Sequence, residues 1–116
     1  MNFYNKQGKP IAYLADEKHI FLFSGKAVAY FVNDAVYSFC GKHLGWLRNG
    51  WIVDHDGRRV FFTENTTGGP VKPIKQIKTI KSIKNIKPIK SVKEVKRTKS
   101  SLSSSWSALS DESFFS

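Results

Sequence analysis

Apolar and aromatic residues recur in short runs, each broken by a turn signal. The runs keep a fixed phase against four glycines, Gly8, Gly25, Gly41 and Gly57, spaced 17, 16 and 16 residues apart. Each glycine is followed by a cation: Lys9, Lys26, Lys42 and Arg58. Three places after it stands a branched apolar residue (Ile11, Val28, Leu44, Val60), and five places after it an aromatic (Tyr13, Tyr30, Trp46, Phe62). Five and four places before it the chain reads Phe3-Tyr4, Ile20-Phe21, Val36-Tyr37 and Ile52-Val53. A fixed period decides the architecture before any single residue does. Residues 3–63 are one unit written four times.

Each unit reads as strand, turn, strand. Segments such as Ile20-Phe21-Leu22-Phe23 and Val28-Ala29-Tyr30-Phe31 are rich in β-formers and too short for helices. Ser24-Gly25 and Asp56-Gly57 are tight-turn signals, because glycine accepts positive φ without a steric penalty. The links between units carry Asp16-Glu17, Asn33-Asp34 and Asn49-Gly50, and Asn-Gly is the strongest short hairpin signal. The pattern predicts an all-β fold: four tandem β-hairpins, eight short antiparallel strands around a pseudo-four-fold axis, in a domain spanning 1–70. One hairpin cannot bury its own apolar face, so four must share a core. Aromatics supply much of it, since 13 of the 16 lie in residues 1–69. The column Ala12, Ala29, Gly45, broken by Phe61, predicts close packing near the axis.

From Val71 the pattern changes to triplets of Ile or Val, then Lys, then a variable residue. Lysines recur from Lys72 to Lys99 at strict period three. On a helix this period spreads both residue types around the circumference, and on a strand it alternates them between faces. Only polyproline II, with three residues per turn, puts all lysines on one edge and all isoleucines on another. Residues 71–105 therefore read as an extended or disordered linker. It is a solvated spacer, a polyanion-binding arm for nucleic acid or anionic lipid, or a segment whose Ile edge docks along a partner or its own domain. The polyanion candidates are Lys75, Lys78, Lys81, Lys84, Lys87, Lys90, Lys93 and Lys96. With no aromatic for base stacking in that stretch, any nucleic-acid contact would be indifferent to sequence.

Charge sharpens this division. The net charge of +10 splits into +2 for residues 1–69, +10 for 70–99 and −2 for 100–116. The basicity belongs to the tail. Cys40 is the only cysteine, so no intrachain disulfide can form. The N-terminus shows no apolar signal core, and no run reaches the ~18 apolar residues of a membrane span. The default expectation is a cytoplasmic protein.

Residues 106–116 end the chain with Trp106, Leu109, Phe114 and Phe115 among serines and two acids. Exposed aromatics invite association. This segment reads as a short motif docking into a partner's groove, as a segment covering its own domain's apolar surface, or as a frayed end.

The segments Phe3-Tyr4-Asn5, Gly8-Lys9-Pro10-Ile11-Ala12-Tyr13, His43-Leu44-Gly45-Trp46, Gly50-Trp51-Ile52, Val60-Phe61-Phe62-Thr63 and Gly68-Gly69-Pro70 resemble the bacterial four-fold beta flower proteins. The end from Trp106-Ser107 to Phe114-Phe115 is similar to the end of many of them. The resemblance implies four hairpin petals about a pseudo-four-fold axis and carries no catalytic residue or ligand. Relatives with repetitive tails are richer in Pro and Arg.

Catalytic chemistry finds little support. His19, His43 and His55 lack Cys or His partners at metal spacing. Asp54-His55-Asp56 precedes Gly57, where Asp-X-Asp-Gly serves a turn. Cys40 has no neighbouring base in sequence. No glycine loop for phosphate is present. The expectation is a non-catalytic binding or assembly module without a cofactor, engaging a protein partner through its aromatic end. The alternative is an accessory protein for nucleic acid or an anionic membrane surface, acting through the lysines.

Overall fold

The computed structural model describes residues 1–76 and 80–116. Eight strands follow in order: β1 (Asn2–Tyr4), β2 (Pro10–Leu14), β3 (His19–Leu22), β4 (Ala27–Val32), β5 (Ala35–Ser38), β6 (His43–Arg48), β7 (Trp51–Val53) and β8 (Arg59–Phe62). Every neighbour pair is antiparallel, and β1 pairs with β8 to close a barrel. The four petals are β1–β2, β3–β4, β5–β6 and β7–β8. The expected all-β architecture of four hairpins is the one observed.

The petals turn alike. In each, the residue three before the glycine accepts from the glycine N–H, as Asn5 does from Gly8 and Asp54 from Gly57. Each petal also carries the same irregularity. Phe3 pairs with Ala12 and Tyr4 with Pro10, which leaves Ile11 as an extra residue, and Val28, Leu44 and Val60 are skipped in the same way. These are β-bulges, which bend a strand and raise its twist. A bulge also interrupts strict alternation, so two adjacent residues join one apolar cluster. Ile11 and Ala12 do so, as do Val28 and Ala29, and Val60 and Phe61.

The result is two apolar layers. One contains Phe3, Ile20, Val36, Ile52, the bulge residues, Phe61 and, from the far end of the chain, Phe114. The other contains Tyr4, Tyr13, Phe21, Phe23, Tyr30, Tyr37, Phe39, Trp46, Trp51 and Phe62. This second, aromatic layer is also buried. What meets it is the tail.

Residues 71–105 form no helix or strand among the described positions, yet the segment is laid along the barrel. Gln76, Asn85, Glu94 and Ser103 donate their backbone N–H to the carbonyls of Gly8, Gly25, Gly41 and Gly57 at 2.8–2.9 Å. Ser82 and Ser91 donate in the same way to Phe23 and Phe39. The contact repeats every nine residues, three triplets to a petal. Nine residues of polyproline II span about 28 Å at ~3.1 Å each. The molecule measures 36 × 35 × 22 Å, and a quarter of a circle that wide is also about 28 Å. The triplet repeat thus matches the barrel's four-fold geometry, and the tail makes a belt around it. Its glycines meet two demands at once. Gly25 has φ of +98°, and a Cβ there would lie 2.1 Å from the Ile83 carbonyl oxygen.

Candidate functional site

The belt has three edges. Its variable residues face the petal carbonyls, as described. Its lysines lie against the aromatic layer: the ammonium of Lys81 sits 4.3 Å from the Tyr13 ring centre, Lys90 4.5 Å from Tyr30, and Lys75 5.2 Å from Tyr4. Lys84 lies over Phe21, and Lys93 also over Tyr30. Such cation–π contacts are worth about 0.5–1 kcal/mol each at exposed sites. Lys87 pairs with Asp16 at 4.0 Å, and Lys99 with Asp34. Burial, then the charge of Lys18, holds the Lys90 ammonium below its ordinary value. Lys96 is exposed and lies close enough to Asp34 to help hold that carboxyl below its ordinary value, after Lys99. Lys78 lies outside the described residues.

The third edge is apolar and faces solvent. Val71, Ile74, Ile80, Ile83, Ile86, Ile89, Val92 and Val95 are each at least 90% exposed. From Ile80 to Val95, at three residues per step, they stand about 9 Å apart. They form a rim of separate knobs.

The aromatic end closes the circuit. Trp106 bridges to Arg59 and packs edge-on against Trp51 at 5.4 Å and Phe62 at 6.3 Å. A 3₁₀ turn, Glu112–Phe115, is capped by the Asp111 carboxylate accepting from the Glu112 N–H. It delivers Phe114 into the first apolar layer, edge-on to Phe61 at 5.8 Å and against the space left by Gly45. Phe115 stacks on Phe61 and is only partly buried. The Ser110 hydroxyl donates to the Val60 carbonyl and accepts from the Lys6 N–H. Of the readings open for this segment, the one seen is a segment covering its own domain's apolar surface. Half-buried Trp106 and buried Phe114 both find apolar partners within their own barrel. Leu109, at 43% exposure, and the rim of Phe115 remain open.

One cleft, of about 230 Å³, lies between petals three and four beside this plug. His43 and His55 meet in it, with the His55 Nε2 3.2 Å from the His43 Nδ1. Both rings pack on Trp46. Sequence spacing hid this pair because a strand and a turn separate the two. His55 stands where petals two and three carry Phe23 and Phe39, so it extends the aromatic layer. Burial, then the charge of its neighbour, holds the His43 imidazole below its ordinary value. Burial, then Arg97, does the same to His55. The His43 Nε2 is buried without a hydrogen-bond partner among the described residues. Lys42, Asp54, Arg97, Ser113 and Ser116 complete the polar wall. The Asp54 carboxylate accepts from the Asp56 and Arg58 N–H groups at 2.9 Å, so it shapes its turn. His19 lies elsewhere, bonded to Asp16. Cys40 is exposed, its thiol lowered chiefly by a hydrogen bond with the Ser38 hydroxyl. No three His, Cys, Asp or Glu side chains gather as metal ligands among the described residues. No described helix is long and apolar enough to cross a membrane.

No curated protein and no solved structure matches the chain. A family model does, over residues 1–115, so that the match takes in the belt and the plug as well as the petals. The chain belongs to the 4-fold beta flower protein family.

Proposed function

We propose that this protein is a non-catalytic binding module that seats on an anionic lipid surface through its belt. The observation that carries the reading is the rim of exposed aliphatic side chains, eight among the described residues, running beside a lysine row. Aliphatic knobs that enter an interface next to cations that meet lipid phosphate are a membrane-surface combination. Shape favours a plane over a protein groove. Knobs spread around a disc 36 Å wide cannot all enter one groove, whereas a soft surface can meet whichever arc of them faces it. The turn-committed Asp54 and the docked Trp106 and Phe114 support neither a catalytic nor a free-motif role.

A structural reason for the isoleucines competes with this one. The eight described rim residues are all β-branched, which suits an extended backbone. Threonine separates the two, because it keeps the branch and loses the apolarity. Ile83, Ile86 and Ile89 are changed together to Thr, and flotation is measured with phosphatidylglycerol and phosphatidylcholine vesicles. Half-burial of one Ile is worth about 1 kcal/mol, so the triple variant binds the anionic vesicles about a hundredfold more weakly while its melting point holds. Equal binding by both proteins, or no preference for the anionic vesicles, refutes the reading. Nucleic-acid binding through the same lysines is the second reading, favoured by their exposure along the belt. It predicts steep salt dependence on duplex DNA and no effect of the threonines.

A further inference from the structure

We propose that the cleft between petals three and four binds a small oxyanion, the phosphate or carboxylate group of a compact ligand. The inference does not rest on the belt's contact with lipid. Four-fold repetition makes the cleft conspicuous, because the equivalent positions elsewhere carry no such chemistry. Two places after the glycine the petals read Pro10, Ala27, His43 and Arg59, and two places before it Lys6, Phe23, Phe39 and His55. On the belt, Arg97 occupies the place held nine residues earlier by Pro88. Only the junction of petals three and four brings two imidazoles together with Lys42 and Arg97.

The donors there are unspent. Neither Lys42 nor Arg97 forms an ion pair among the described residues. In the tautomer where the His55 Nε2–H donates to the His43 Nδ1, the His43 Nε2 carries a proton and has no acceptor. His43 is 0% exposed, and a buried donor left unmade costs about 1–3 kcal/mol. An oxyanion in the cleft would meet Lys42 and Arg97 directly, and would accept from this nitrogen once the wall over it parts. The two acids are already engaged: Asp54 with its turn amides, and the Glu94 carboxylate with the His43 N–H at 2.7 Å. A cleft of about 230 Å³ lies below the ~300–1,000 Å³ of larger ligand sites, which limits the occupant to a small molecule. Leu44 and Phe114 give it an apolar side.

The test follows the ring signals of His43 and His55 by NMR during titration with inorganic phosphate, with chloride at matched ionic strength as the control. A parallel titration uses glycerol phosphate, the soluble part of a lipid headgroup. The expected result is a saturable shift of both rings. It strengthens as pH falls through the histidine range, with Lys42, Asp54, Glu94 and Arg97 as the charged groups facing the pair. Arg97→Gln, at an exposed belt position, weakens it about tenfold. Lys26→Gln, the petal-two counterpart of Lys42, leaves it unchanged. Tighter glycerol phosphate points to a headgroup ligand, and equal affinities point to free phosphate. Non-saturating shifts, or shifts the same in Arg97→Gln, mean that there is no such site. Failure of vesicle flotation alone leaves this result untouched.

Discussion

Replacing Gly25 by alanine tests whether the belt is held on the barrel. Two separate costs arise there. The residue has φ of +98°, a conformation that costs an alanine about 1–2 kcal/mol. Its new Cβ would also lie 2.1 Å from the Ile83 carbonyl oxygen, well short of the 3.4 Å at which ordinary contact begins. The belt must then move by more than an ångström at that petal. The move breaks the bond from the Asn85 N–H to the Gly25 carbonyl, worth about 0.5–1.5 kcal/mol net. It also disturbs Lys84 over Phe21 and Lys81 over Tyr13, at about 0.5–1 kcal/mol each. Gly68 supplies the control. It too has positive φ, +66°, but a Cβ there would meet nothing within 4 Å. Gly68→Ala therefore reports backbone strain alone. Gly25→Ala should exceed it by about 1.5–3.5 kcal/mol in urea unfolding, with faster amide exchange at Ser82 and Asn85. Equal losses for the two variants would mean that the tail does not lie on the petals, and the belt would be refuted.

Acid should loosen the junction of petals three and four. The unfolded imidazoles titrate near pH 6.5, and both folded ones are held lower, so the unfolded chain takes up protons first. Stability is therefore full above about pH 6.5 and falls as pH drops through the folded values. Chemical unfolding between pH 7.5 and 5 reads the loss, and His55→Phe, which restores the residue type of petals two and three, should flatten the curve. The lowered carboxyls of Asp34 and Glu64 act in the same direction but only below about pH 4. Phe114→Ala should cost about 3–5 kcal/mol by emptying the plug, whereas Leu109→Ala should stay within about 0.5 kcal/mol, both by urea denaturation. Ser91→Pro removes the N–H that bonds Phe39 and should lower stability by about 1 kcal/mol, with exchange quickened along the third quarter of the belt.

The petals were legible because glycine, bulge and aromatic columns repeat at nearly constant spacing. The bulge itself was not. A branched residue three places after glycine looks like any strand residue until its partner strand shows that nothing faces it. The tail's period of three was plain, but its nine-residue period depends on the barrel's radius. A trace of it was present: Ser82, Ser91 and Ser100 fall nine apart, as do Gln76, Asn85, Glu94 and Ser103. Pro88 sits in the remaining place, where none of the described belt-to-petal N–H bonds starts. The histidine pair was hidden for another reason. His43 and His55 are 12 residues apart on different petals, and their meeting depends on the pairing of β6 with β7.

The nine-residue step gives the belt a vernier-like relation to the barrel. A single deleted triplet would leave the lysine and isoleucine pattern intact to the eye, yet every later amide would face the wrong carbonyl. A change of nine residues would restore the phase one petal along. Length in this tail is therefore counted in petals, and a homologous chain with one more hairpin would need one more set of three triplets to reach its own plug.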